Sequence, residues 1–419
     1  DNVIRGNGGS YGGAVRVGTP YVGDNNNDNL VLAHNQIRDN GGTNLAGAIG
    51  LFNGSNGYQV DSNAICGNHS AEYGGAVSAF GYNVSGGKIT NNRIWFNASY
   101  DEGAGVMIAG ELPSDPTKLS EGSGPVTIDA NVIQSNLAND DGGGVRLLQT
   151  SGSHISKANP ETINITNNTI ANNVSAHEGG GLALDDAACV NVLNNTVVRN
   201  ITTATAVTSN GEAAPAGLST AANSDPLQKR LQNTSLFPGS ATLGTTVFSK
   251  PTLLNDVFWD NRAGSYSGTE SGITVADANH WDMGVADNTG SLSPINSVIQ
   301  TALGTDGGTA TTLSDNPKFV DQSYDVAVNV LPLRTYPAFR QAVVVSLILP
   351  PNLLGNYHLA AGTPASPARG KGKASQSVVW GSGFSYTVSA PGKDIDGDIR
   401  PTGIGPSARY DAGSDQMVP

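Results

Sequence analysis

An asparagine that returns in fixed register constrains this chain more than any other feature. The pattern Asn-x-aliphatic-x-x-Asn occurs at Asn2/Ile4/Asn7, Asn35/Ile37/Asn40, Asn63/Ile65/Asn68, Asn92/Ile94/Asn97, Asn131/Ile133/Asn136, Asn168/Ile170/Asn173 and Asn195/Val197/Asn200. A degenerate copy follows at Asp256/Phe258/Asn261. Most copies are succeeded by a small-residue run ending in an aliphatic: Gly13-Ala14-Val15, Gly47-Ala48-Ile49, Gly75-Ala76-Val77, Ala104-Gly105-Val106, Gly143-Gly144-Val145 and Gly180-Gly181-Leu182. That run is missing after Asn200 and altered after Asn261. The shortest intervals between successive second asparagines (40 to 68, 68 to 97, 173 to 200) are 27 to 29 residues. A period in this range signals a stacked array.

The residues between the asparagines decide what is stacked. Gly and Asn are weak helix formers, and each unit holds short β-branched runs with no apolar recurrence at the helical period. With 6% aromatic residues and 54 glycines, the core must be built from small aliphatics. One turn of a β-solenoid fits the period, with coils stacked at roughly 4.8 Å. Ile4, Ile37, Ile65, Ile94, Ile133, Ile170 and Val197 would then form one interior column. The asparagines would pass amide hydrogen bonds from coil to coil, and the glycines would permit strained corners. A β-sandwich, the alternative all-β reading, does not need a fixed register. The longer intervals after Asn97 and Asn136 place extra residues at 110–124 and 150–160, so insertions project from one edge of the stack.

The C-terminal region carries Asn316-Pro317-Lys318-Phe319-Val320-Asp321, then Asn356-Tyr357-His358-Leu359 with Gly362-Thr363-Pro364-Ala365. Asp394-Ile395-Asp396-Gly397-Asp398-Ile399-Arg400-Pro401 and Tyr410-Asp411-Ala412-Gly413-Ser414-Asp415 follow. With the repeats, this set resembles secreted bacterial right-handed parallel β-helix proteins with a choice-of-anchor Q domain, departing at Ala412 and Ser366. The resemblance spans most of the chain except about 201–250 and 325–350. It implies an all-β, right-handed parallel β-helix (β-solenoid) with loop insertions and an irregular C-terminal closing segment. The expected divisions are repeats over 1–200, an inserted loop region over 201–250, further turns over 251–320, and the closing segment over 321–419. It implies no particular activity, because such a family is defined by architecture.

Within the inserted region, Asp225-Pro226-Leu227-Gln228-Lys229-Arg230-Leu231 reads as a short helix capped by Asp225 or Ser224. The apolar run Val343 to Leu349 is too short to span a bilayer. It reads as a buried strand or as an exposed strip for subunit contact. No signal peptide, transit sequence or transmembrane helix is visible. The chain begins inside a repeat, so an N-terminal part or a partner is expected to cover the first strand edges. Cys66 and Cys189 occupy different repeat positions several turns apart and are expected to be free, buried thiols.

A net charge of −13 excludes nucleic acid as a natural partner. Sequons such as Asn97-Ala98-Ser99 and Asn173-Val174-Ser175 coincide with the inward asparagines and read as structural. Glu102, Asp141 and Glu178 each fall five residues after a second asparagine, preceded by Asp101, Asp140 and His177, with Glu72 one turn earlier. Stacking would bring these carboxylates close enough to raise their pKa values or to recruit calcium, which takes six to eight oxygens. A solvated acidic edge is the plainer alternative. Asp394-x-Asp396-Gly397-Asp398 has the carboxylate alternation of a calcium loop without its distal Glu; the resemblance makes it instead a closing-turn feature, with Arg400 expected to pair with Asp411 or Asp415. The turn holding Asp24 and Asp28 is a weaker acidic candidate.

For catalysis, Asp140-Asp141 and Asp185-Asp186 could supply an acid and a base, with His177 the best single candidate. The Gly-His-Gly and Arg-Ile-Lys motifs of polygalacturonases are missing, and Arg16 and Arg146 lie four turns apart. Glycan binding without turnover wants aromatics along one face, where Tyr73 and Tyr100 occupy neighbouring positions. The favoured reading is an extracellular or cell-surface, non-catalytic structural or adhesive rod. It would self-associate into filaments or meet a cell-surface partner or glycan. The alternative is a polysaccharide-degrading enzyme.

Overall fold

The computed structural model describes residues 1–233, 248–267, 273–275, 279–330, 342–345, 350–380, 384–403 and 408–417. Coil by coil, short strands build four parallel sheets, one of 10 strands and three of 8; in one coil they are Arg93–Trp95 in the first, Ala98–Ser99 in the second, Val106–Ala109 in the third and Val126–Asp129 in the fourth. The chain is therefore a parallel β-helix. In the first sheet Ile94 lies against Ile65 and Ile133, and Ile133 against Ile170. The predicted interior column is real: from Ile37 to Val197 its members are 0% exposed, and Phe258 and Ile299 continue it.

Why the chain turns where it does follows from single left-handed residues. Asp39, Gly67, Phe96, Ser135, Asn172, Arg199 and Asp260 have φ between 53° and 64°, one per coil, between the first and second sheets. His34, Ser62, Asn91, Ala130, Asn167, Asn194 and Asn255 do the same between the fourth and first. A non-glycine residue is strained there, so surrounding contacts must hold it. The ladder asparagines supply them, because each is the next residue after a corner. Asn97 donates from its backbone N–H and from Nδ2 to Asn136 Oδ1, both at 3.0 Å. Asn136 repeats this toward Asn173, and its Nδ2 also donates to the Ile94 carbonyl at 3.1 Å. The sequons Asn97 and Asn173 are 1% and 0% exposed, which is why they cannot act as surface acceptors.

The two ladders close at Ser297, whose Oγ accepts from the Asp256 N–H, and at Asp282, whose Oδ1 accepts from Asn261 Nδ2. Asp256 stands in an amide slot. Its Oδ1 accepts from Asn195, but its Oδ2 is buried without a partner, and burial pushes its carboxyl far above the ordinary range. A raised acid contributes stability below its unfolded pKa and loses it as pH climbs toward the folded pKa. Asp256→Asn is therefore expected to stabilise the fold by about 2 kcal/mol at pH 7, the scale of one unsatisfied buried group. Melting curves should show the gain vanish near pH 3; a gain equal at both pH values would refute the buried acid.

The third sheet corrects one expectation. The small-residue run after Asn200 is displaced, not missing: Ala216-Gly217 leads into Leu218–Thr220, which pairs with Leu182–Leu184. A loop inserted ahead of it hid the register. Residues 110–124 and 150–160 do share one edge, the corner between the third and fourth sheets. At the same corner the helix Asp225–Asn233 buries Leu227 and Leu231, and Ser224 Oγ accepts the Leu227 N–H at 3.4 Å.

The closing segment covers the outer face of the first sheet. Phe319, Tyr357, Leu359, Ala368 and Ala412 bury Ala171, Val198, Val257 and Val298 there. A hairpin of Ser375–Trp380 and Phe384–Ser389 lays Val388 on Leu193 and Leu254 of the fourth sheet. The backbone of Ala342–Val345 pairs antiparallel with Ala327–Val330, while the side chains of the apolar run Val343 to Leu349 lie outside the described residues. Both cysteines are free, but Cys66 is only half-buried, unlike Cys189. No described helix is long and apolar enough to cross a membrane.

Candidate functional site

The corner between the second and third sheets collects the acidic row. Each coil leaves its second-sheet strand, passes two ionisable residues and bends at a left-handed glycine: Gly103, Gly142 or Gly179, with φ of 68°, 69° and 57°. Backbone hydrogen bonds stack these loops, from Asp101 N–H to the Glu72 carbonyl, Asp140 to Asp101, and His177 to Asp140, at 3.1 to 3.2 Å. The predicted stacking of Asp101-Glu102 on Asp140-Asp141 on His177-Glu178 is thereby realised.

Two cations are threaded through the row. Arg146 points outward from the third-sheet strand Val145–Leu148. Its Nε meets Glu102 at 2.5 Å, and its Nη2 lies 3.5 Å from Asp141 and 3.8 Å from Asp185. A Cβ at Gly142 would approach the Arg146 Cβ to 2.7 Å, so glycine serves both the bend and the room for this side chain. His177 Nδ1 sits 3.3 Å from Asp140 and 3.1 Å from Asp141, with Nε2 3.6 Å from Glu178. Thr208 donates to Asp140 and Ser219 to Glu178, at 2.7 and 2.9 Å.

The environment separates these groups in proton affinity. Burial pushes Asp101 up to about 6, helped by Asp140 and Glu72. Glu102 is raised by burial against the pull of Arg146. Glu178 is raised to about 7 by burial and Asp141. Asp141 goes the other way: burial opposes its charge, but His177 and Arg146 hold it below the ordinary carboxylate range. Burial also opposes the charge on His177, yet Asp140 and Asp141 lift it to about 10. At neutral pH the corner therefore holds a protonated imidazole and at least one ionised carboxylate beside carboxyls near their midpoint.

The side chains remain partly open, from 14% for Glu102 and Asp141 to 25% for His177. Ligand atoms of Asp101, Glu102 and Asp140 lie within 4.8 Å of one another, as do those of Asp140, Asp141 and His177. Either group could hold a metal ion. Arg146 and His177, however, already supply much of the charge compensation that calcium would bring.

No family model, curated protein or solved structure matches this chain.

The aspartates of the 394–398 loop are not brought together as ligands. Asp394 Oδ1 accepts the N–H groups of Asp396 and Asp398, and its Oδ2 accepts that of Gln416. Asp396 instead pairs with His358 Nε2 at 2.8 Å, and these two group with Asp415. The motif is a turn tied by its first carboxylate, which explains why the distal Glu of a calcium loop is not needed. Arg400 likewise departs from expectation: its guanidinium bonds to Asn167 Oδ1 and to the Gly413 carbonyl rather than forming an ion pair with Asp411 or Asp415. Asp185 and Asp186 also part, one facing Arg146 and the other receiving Ser224. Sequence reasoning missed Arg146 as the centre of the row. The usable signal was its place in the outward row of the third sheet, where Gly50, Ser78 and Met107 precede it.

Proposed function

We propose that this chain is an extracellular or cell-surface β-helix that adheres to glycans through the acidic corner without turning them over. The observation that carries the reading is a set of part-exposed carboxylates held at one-coil spacing by backbone hydrogen bonds. Such acceptors, preorganised on a stiff frame, suit the hydroxyls of a sugar with little ordering cost on binding. Tyr100, 50% exposed one residue before Asp101, offers a ring face beside them. Calcium at Asp101, Glu102 and Asp140 would bridge sugar hydroxyls in the same place.

Retention on insoluble cellulose, chitin, chitosan and xylan tests this. Asp101→Asn with Glu102→Gln is expected to weaken binding at least about tenfold, or about 1.4 kcal/mol. Chelator should reproduce the loss only if calcium takes part. Wild-type protein retained on none of these polymers would sink the reading.

A second reading, hydrolysis, has one observation in its favour: Asp141 is held low while Glu178, one coil on, is raised to about 7. Environments that push two carboxyls apart assign a base and an acid. Release of reducing ends that falls off above about pH 7 and is lost in Glu178→Gln would replace adhesion with catalysis.

A further inference from the structure

Tyr73 joins the acidic corner to an aromatic shelf on the outer face of the third sheet. Its ring stacks on Phe80 at 6.3 Å, Tyr21 meets Phe80 edge-on at 5.7 Å, and Tyr11 meets Phe52 edge-on at 6.0 Å. Phe52 and Phe80 are fully buried beneath, whereas Tyr21 is 58% exposed. Arg16 lies over the Tyr11 ring at 5.1 Å. The nearby Glu102, Asp101 and Glu72 add to burial in raising the Tyr73 hydroxyl, which marks shelf and corner as one surface.

This surface is linear because the fold is. Backbone hydrogen bonds stack Asp101 on Glu72 and Asp140 on Asp101 along the part-exposed corner, whereas the third-sheet row beneath it, from Ser78 through Met107 to Arg146, is buried. From the coil of Tyr11 to that of Asp101, three coil steps at about 4.8 Å make a strip roughly 14 Å long.

Charge decides the class of occupant. Beside the carboxylates around Arg146 and His177, Glu72 and Asp101 have no cation within ion-pair distance among the described residues. A uronate polymer would meet a surplus of like charge. Ammonium groups would meet both carboxylates and ring faces.

We propose that the strip seats a linear polysaccharide bearing free amino groups, laid parallel to the helix axis, with its rings on Tyr11, Tyr21 and Tyr73 and its ammonium groups at Glu72 and Asp101. This rests on the glycan-binding reading above and deepens it.

Calorimetric titration of the full chain with the β-1,4-linked glucosamine disaccharide, its hexasaccharide and the N-acetylated hexasaccharide tests the proposal. The glucosamine hexamer is expected to bind at least about tenfold tighter than the dimer and than the acetylated hexamer. Tyr21→Ala, at a position 58% exposed, should erase most of the length advantage while leaving the dimer unchanged; Tyr73→Ala should do so more strongly. Equal affinity for dimer and hexamer, with tyrosine variants silent but Asp101→Asn still weakening binding, would overturn the strip and leave the corner reading intact. Preference for the acetylated hexamer would overturn the amino-sugar assignment. Binding of none of the probes would overturn the strip; whether the corner reading falls with it is decided separately by retention on the insoluble polymers.

Discussion

Asn136→Ala is expected to lower the stability of the fold by about 4 kcal/mol or more. Its Oδ1 accepts two hydrogen bonds from Asn97, and its Nδ2 donates to Ile94 and Asn173, all within a fully buried corner. Alanine would strand these partners, and each unsatisfied buried group costs about 1–3 kcal/mol. The left-handed Ser135 beside it would lose its tie as well. Urea unfolding should show a lower midpoint. Asn7→Ala is the control, since Asn7 is exposed and its side chain only donates, to Asn40. A loss below about 1 kcal/mol at Asn136, or equal losses at both sites, would mean the ladder does not carry the stack.

Arg146→Ala is expected to cost about 3–5 kcal/mol, the usual consequence of leaving buried charges without their partner. Glu102, Asp141 and Asp185 all face the guanidinium, which is 6% exposed. Without it Glu102 and Asp185 rise further, and Asp141 rises from its lowered position. A raised acid is most stabilising below its unfolded pKa and least so above its folded pKa, so the variant should be weakest near pH 8 and recover toward pH 5. Adding Glu102→Gln should restore part of the loss at pH 8. Melting temperatures that fall equally at both pH values, with no rescue, would show that Arg146 matters only for packing.

Much of the fold was legible because a solenoid repeats a local rule. The column from Ile37 to Val197 and the paired asparagines are each set by residues within one coil, so their spacing in the chain predicts their stacking in space. The row Asp101-Glu102, Asp140-Asp141, His177-Glu178 was legible for the same reason. What escaped was whatever spacing along the chain does not carry. Leu218–Thr220 was hidden by an insertion that shifted it along the chain without moving it in the sheet. The 394–398 loop looked like a cation site because its composition does not reveal that Asp394 spends its oxygens on backbone amides.

The amino-acid sequence alone determined that this chain is a parallel stack of short strands, where its corners fall, and that like charges recur at one of them. A recurrence whose shortest intervals are 27 to 29 residues, with repeated small and amide positions, admits few other solutions. Only the tertiary structure decided what those charges face. Arg146 comes from a third-sheet strand while Glu102 and Asp141 lie in the corner loops ahead of that sheet, and His177 lands between Asp140 and Asp141 because coil stacking, rather than chain proximity, brings them within 3.3 Å. The balance of burial and ion pairing that raises Asp101 and lowers Asp141 depends on those contacts, and no spacing in one dimension contains it.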